Sequence, residues 1–174
     1  MRCVALMRNV NQGQRGHPST DAILAGFADA GCPDAVTFQS NGTILFDARS
    51  PETVVDAAAA AIAIRSGHER DMFWIAFQDV AAVVDRYAGV SEPRRFEFTA
   101  HRGGTIDLED AQVVGEADRN RCELVDTGPR WALVRNRIAG EGHATPTLER
   151  ITGHPATSRG LPSMVRLVLR FRSR

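Results

Sequence analysis

Residues 35–46 read AVTFQSNGTILF, and this stretch decides the fold. Residues 35–39 alternate in polarity as a strand does, and residues 43–46 return as its partner. Between them Asn41-Gly42 predicts a type I′ hairpin turn, because this pair accepts positive φ angles. Upstream, residues 2–7 form an apolar run of buried-strand length. A polar loop, 8–17, leads to the helix-start signals Pro18-Ser19-Thr20-Asp21. Ile23, Leu24, Phe27 and Ala30 then recur at helical spacing, and Gly31 is the expected stop. Downstream, Ser50-Pro51-Glu52 opens a second helix carrying Val54, Val55, Ala58, Ala59 and Ile62, ended by Gly67. Residues 72–77, MFWIAF, read as a fourth strand. Asp79 then caps a helix carrying Val80, Val83, Val84 and Tyr87, stopped by Gly89.

The order β-α-β-β-α-β is that of the ferredoxin-like plan. We therefore expect an α+β fold: a ferredoxin-like unit over residues 1–89, a linker at 90–95, and a smaller α+β unit over 96–174 packed on it, or one compact globule. In the second half, 96–100 alternates as a strand and 106–115 suits a short helix and a strand. Residues 121–125 and 131–134 suit a hairpin. Thr145, Pro146 and Glu149 read as cap, first helical residue and first-turn acid. A last helix over 161–171 places Leu161, Met164, Val165, Val168 and Leu169 on one face. No alignment of the two halves as a repeat emerges from the residues.

The 174 residues carry 21 basic and 21 acidic side chains, and every basic one is arginine. Schiff-base lysine chemistry and a lysine-bearing phosphate loop are thereby excluded. Zero formal net charge argues against a surface that binds nucleic acid or anionic lipid indiscriminately. A chain of this length buries roughly 70% of its unfolded surface and needs no disulfide or metal for stability. Cys3, Cys32 and Cys122 are widely spaced and form no CxxC pair, as expected of buried thiols in a reducing compartment. No stretch suits a signal peptide or a membrane span. A soluble cytoplasmic protein follows, with no membrane partner.

Topology makes a sharper prediction. The loop after the first strand and the hairpin between the second and third should lie at one end of the sheet. Arg8, Asn9 and Asn11 would then approach Gln39, Ser40 and Asn41. This set of amides, a hydroxyl and an arginine suits an anion or a nucleobase, or else a hydrogen-bond network that pins the turn. The C-terminal segment is the other unusual feature: Arg150, Arg159, Arg166, Arg170, Arg172 and Arg174 occur there without an acid. Its helix would face phosphates, or pack on the core with its arginines favouring the helix dipole. The five histidines lack metal-ligand spacing, so no metal and no cofactor is expected. Asp107, Glu109 and Asp110 read as a solvated acidic turn.

Two segments carry a family resemblance. CVALMRNVNQG and FQSNGTILF, within residues 3–46, resemble the VALLRGINVGG and QSGNVVF segments of a bacterial group known as the domain of unknown function 1697 family. Arg8, Asn11, Gly13, Gln39, Ser40 and Phe46 match. Residues 157–167, TSRGLPSMVRL, are similar to that family's TTRNWNTVxKL at Thr157, Arg159 and Leu167, with Ser158, Ser163 and Arg166 as similar replacements. Asn9, Gln14, Asn41-Gly42 and Gly160-Leu161-Pro162 depart from the pattern. The resemblance implies a two-part α+β architecture with ferredoxin-like units and no known substrate. It also directs attention to Thr157, Ser158 and Arg159.

The expected ligand-binding set is therefore Arg8, Asn11, Gln39, Ser40, Thr157, Ser158 and Arg159, with Arg8 and Arg159 as charged donors to an anionic small molecule or a nucleic-acid phosphate. No catalytic residue is assigned. A hydrolase or transferase would need a nucleophile or general base in the same pocket, for which Ser40, Ser158 and His17 are the candidates. A structural or protein-interaction module would need neither.

Overall fold

A computed structural model describes residues 1–173; Arg174, the last of the C-terminal arginines, lies outside the described residues. The elements of the first half follow in the expected order: β1 (Arg2–Met7), α1 (Thr20–Asp29), β2 (Val36–Phe38), β3 (Thr43–Asp47), α2 (Pro51–Ser66) and β4 (Met72–Ala76). They form one sheet of order β2-β3-β1-β4, antiparallel at every step. Cys3, Ala5 and Met7 of β1 pack with Ile44, Phe46 and Met72 beneath Ile23 and Phe27 of α1 and Val55, Ala58 and Ile62 of α2. Val4 and Leu6 point to the opposite face and are also fully buried. A strand that is dry on both faces has no polar alternation, and the run CVALM has none.

The hairpin differs from its expected form. Four residues separate β2 from β3, with positive φ at Gln39 (59°) and Gly42 (70°), not at Asn41. The Asn41 side chain instead accepts from the Thr43 hydroxyl at 2.8 Å. Gly42 is needed for close approach: a Cβ there would lie 2.9 Å from the Cβ atoms of Met7 and Val10.

The second half comprises α3 (Phe77–Tyr87), a 3-10 turn (Pro93–Arg95), β5 (Phe96–His101), α4 (Ala111–Arg119), β6 (Cys122–Gly128), β7 (Trp131–Asn136), α5 (Ala144–Thr152), β8 (Ala156–Gly160) and α6 (Leu161–Phe171). Residues 106–115 contribute the start of a helix and no strand. Asp110 caps that helix by accepting from the Gln112 and Val113 amides. Strand β8 falls where no strand was expected, because ATSRG is polar. Thr145 does not cap α5, which begins at Ala144; its hydroxyl meets Ser158 instead. On α6, Leu167 and Phe171 are buried, while Leu169 is 73% exposed.

Backbone contacts divide the chain into two compact units, Met1–Gln78 and Asp79–Arg174. The division falls inside α3, upstream of the 90–95 linker. Within the second unit, Arg86 and Tyr87 of α3 meet Asp126 of β6 at 2.7 and 3.1 Å, and Asp85 meets Arg172 at 2.5 Å.

The second sheet has order β6-β7-β5-β8, again antiparallel throughout. Thus β5-α4-β6-β7-α5-β8-α6 repeats the succession and strand order of β1-α1-β2-β3-α2-β4-α3. The repeat extends to single hydrogen bonds. The Met7 amide donates to the Gly42 carbonyl at 2.8 Å, and the His101 amide to the Arg130 carbonyl at 3.0 Å. After α2, the Ser66 hydroxyl donates to the Ile62 carbonyl and accepts from the His68 amide; after α5, Thr152 makes the same bonds with Leu148 and His154. Gly67 and Gly153 share a φ of 71°. The strand registers equate Met7 with His101, Trp74 with Ser158 and Ile75 with Arg159.

Two predictions follow from this packing. At Gly26 an added Cβ would lie 2.4 Å from Ile62 Cγ1 and 3.2 Å from the Ala58 carbonyl. Gly26→Ala is therefore expected to destabilise by about 1–3 kcal/mol in chemical denaturation, despite alanine's better helix propensity. His101 is buried, and its Nδ1 accepts from the Gly103 amide. Burial holds its pKa below the ordinary value, and the opposing Trp131 carbonyl offsets this only in part. The unfolded chain then binds the extra proton, so stability is full above about pH 6.5 and falls as pH drops below it. His101→Met, which installs the residue found at the equivalent position of the first repeat, should flatten this dependence in urea titrations across pH 5 to 7.5.

Candidate functional site

The polar end of the first unit is built largely from main chain. β1 delivers Arg8 beside the start of β4, where its amide donates to the Asp71 carbonyl at 2.8 Å and its guanidinium stands 3.9 Å from the Asp71 carboxylate. The loop then turns at Asn9, whose φ is 52°, and crosses to the hairpin, where the Gln12 amide donates to the Ser40 carbonyl at 2.7 Å. The loop after β1 therefore meets the hairpin through Gln12 and Ser40. The Asn11 amide donates to His17 Nδ1, which places the histidine proton on Nε2 when the ring is neutral. Asn11, Gln39 and Ser40 are all exposed.

Two residues that sequence reasoning passed over complete this end. Arg70 donates to the carbonyls of Asn9 (3.2 Å), Glu69 (2.8 Å) and Gly16 (2.9 Å), so one guanidinium fastens both ends of the loop. Asp71 places a carboxylate beside Arg8 that the hairpin and loop sequences do not contain. Both lie just before β4, far along the chain from the loop they serve. Only the sheet order brings them there.

Thr157, Ser158 and Arg159 lie in the second unit, on β8. Arg159 is buried; it donates to the Thr157 hydroxyl at 3.1 Å and the Ser158 carbonyl at 2.8 Å. Burial lowers its pKa to about 10, which leaves it charged at neutral pH. The Ser158 hydroxyl sits between those of Thr99 (2.8 Å) and Thr145 (2.7 Å). Three hydroxyls in a row contain no base. Of the seven predicted residues, Arg8, Asn11, Gln39 and Ser40 lie in the first unit and Thr157, Ser158 and Arg159 in the second.

Other reactive groups are muted. The three cysteines are free and buried, and desolvation pushes the Cys3 thiol up to about 11 and the thiols of Cys32 and Cys122 upward. Asp107 accepts from the Glu109 amide and Asp110 caps α4, so these acids shape a turn. Among the described residues no group of three or more His, Cys, Asp or Glu could hold a metal ion, and no helix is long and apolar enough to cross a membrane. Several C-terminal arginines have partners within their own unit: Arg150 meets Glu116 and Asn120, Arg166 meets Ser163, and Arg172 meets Asp85.

Comparison with known proteins supplies a family and a fold. No curated protein matches. A solved structure, that of the conserved bacterial protein SP0830 from Streptococcus pneumoniae, is similar with a TM-score of 0.54 and 12% identity, covering 96% of this chain and 98% of that one. At that identity the likeness concerns the fold alone. The family model described as "Protein of unknown function (DUF1697)" matches residues 1–104, which include β1, the polar loop, the hairpin and Arg70, and the chain therefore belongs to this family.

Proposed function

We propose that the polar end of the first unit binds a small anion, either a phosphorylated metabolite or a nucleic-acid phosphate. Arg8 is the charged donor in this reading, with Asn11, Gln39 and Ser40 as neutral partners. The observation that carries it is the bond from the Gln12 amide to the Ser40 carbonyl, which joins the loop that follows Arg8 to the hairpin that carries Gln39 and Ser40. Arg70 contributes charge and fixes the loop. Thr157, Ser158 and Arg159 form a separate polar cluster, and Arg159 is assigned to organising β8 instead of touching the ligand. Each half is read as a ferredoxin-like unit, since both sheets share one strand order. Free cysteines suit a cytoplasmic setting.

A hydrolase or transferase is less well supported. Ser158 has hydroxyl neighbours, and Ser40 is engaged through its carbonyl, which accepts from the Gln12 amide.

Thermal unfolding with inorganic phosphate, ribose 5-phosphate, nucleoside mono- and triphosphates and a short single-stranded oligonucleotide tests the proposal. A bound anion at 100 times its dissociation constant should add roughly 2.7 kcal/mol of stability. Arg8→Ala should remove that gain while leaving the far-ultraviolet spectrum unchanged. A gain that survives in Arg8→Ala, or no gain with any of these anions, overturns it. Arg70→Met should release the loop, seen as faster amide exchange over residues 9–16 and a smaller gain with the same anion.

A further inference from the structure

The two repeats differ most usefully where the first helix of each lies on its sheet. The turns that end α1 and α4 correspond. The Gly31 amide donates to the Ala28 carbonyl and the Arg121 amide to the Asp118 carbonyl, and a buried cysteine, Cys32 or Cys122, follows each. This registers Phe27 with Ala117. The strand pairing likewise registers Phe46 with Val134. In the first unit the rings of Phe27 and Phe46 meet with centroids 5.3 Å apart and fill the space between helix and sheet. In the second unit a methyl and an isopropyl group stand there, and a cleft of about 360 Å³ opens beside Ala117.

The apolar lining of this cleft comes from Leu108, Val113, Val114, Ala117, Cys122 and Leu124, and its polar lining from Arg95, Arg135, Arg137, Asp118 and Glu123. Val114 is 52% exposed, an apolar side chain left in water at the opening. Cys122 adds apolar surface, and burial raises its thiol pKa despite the Thr147 hydroxyl 3.3 Å from its sulfur. Three arginines and two carboxylates contribute to the lining. Arg135 meets Glu123 at 2.7 Å, with both side chains about half exposed, and Arg137 meets Asp118 in a more exposed pair. Such exposed pairs contribute little and are readily exchanged. Arg95 is committed to the Asn136 carbonyl and to Glu92. Arg135 and Arg137 therefore remain as forks on which a carboxylate can dock in bidentate fashion.

We infer that this cleft is a binding site for a small amphipathic carboxylate, with its apolar body between α4 and β6 and its carboxylate on Arg135 and Arg137. A volume of this size, with an apolar floor and nearly as many charged side chains around it, suits a small ligand that is itself amphipathic. The floor excludes a bare phosphate, and the arginines favour the acid over a neutral molecule of the same shape. The site is independent of the anion site at the other unit's polar end.

Isothermal titration of the full chain tests this with 4-phenylbutyrate, 4-phenyl-1-butanol and inorganic phosphate. 4-Phenylbutyrate should bind one to one and saturate, the alcohol should bind roughly tenfold more weakly, and phosphate should not compete. Ala117→Phe, which restores the ring present in the first repeat, should lower the affinity for 4-phenylbutyrate at least roughly tenfold while the thermal midpoint holds or rises. Arg135→Gln with Arg137→Gln, at exposed positions, should make acid and alcohol bind alike, and it decides the matter if Ala117→Phe does not fold. Arg8→Ala should leave 4-phenylbutyrate binding unchanged. Absence of saturable binding to the wild-type chain, unchanged binding in a folded Ala117→Phe, or an acid preference that survives the double substitution would each overturn the inference.

Discussion

Strand β1 is paired on both sides, with β3 along one edge and β4 along the other, and the arrangement of the first unit depends on this. A central strand must satisfy its backbone through both neighbours, because buried amides and carbonyls cannot turn to water. Its flanking residues then have no freedom to wander. Gly42, at the start of β3, accepts from Met7, and Asp71, before β4, accepts from Arg8. Three segments distant in sequence are thereby gathered at the point where β1 leaves the sheet. The polar end is a by-product of closing the ladder, and its side chains are positioned by backbone that the core cannot release.

The second repeat keeps this frame and changes what fills it. His101 stands where the first repeat has Met7, Ser158 where it has Trp74, and Arg159 where it has Ile75. Each exchange places a polar group at a position that the first repeat fills with an apolar one. Desolvating a guanidinium is costly, so Arg159 needs its bonds to the Thr157 hydroxyl and the Ser158 carbonyl to remain charged where it is. Ser158 needs Thr99 and Thr145 for the same reason. The exchange of Phe27 for Ala117 runs in the opposite sense, removing volume instead of adding polarity. The same frame thus differs between the two units by polar residues along β8 and by a cleft beside α4.

Much of the first unit was legible in the residues because its signals are local. An unbroken apolar run marks β1, and Ser19 caps α1 by accepting from the Ala22 amide, as its sequence announces. The second unit was harder for identifiable reasons. Strand β8 is read from ATSRG, whose polar residues are buried by tertiary partners that a local pattern cannot show. The repeat was hidden by the same exchanges, since apolar and polar residues occupy equivalent register positions. One local trace of it survives in Ser66-Gly67-His68 and Thr152-Gly153-His154, where a hydroxyl and a left-handed glycine end a helix twice. At the polar end, the approach of loop and hairpin followed from strand order. The roles of Arg70 and Asp71 did not, because their own sequence neighbourhood gives no reason for one to hold the loop and the other to meet Arg8.

The departures from the family pattern can be weighed against this geometry. Asn9 stands where that pattern has glycine, and its φ of 52° is a left-handed value that asparagine tolerates better than most residues. The exchange therefore preserves the turn. Gly13, with a φ of 84°, has been kept. Gly160-Leu161-Pro162 replaces a polar motif at the junction of β8 and α6, and there the helix starts directly from the strand with a proline in its first turn. That replacement keeps the junction but removes polar side chains. The first set of differences is neutral for the backbone on which Arg8 depends. The second strips donors from the neighbourhood of Thr157, Ser158 and Arg159. Of the two sets of polar residues, the one that includes Arg8 keeps its backbone frame and its exposed polar side chains, and for that reason the proposal of an anion site rests on it.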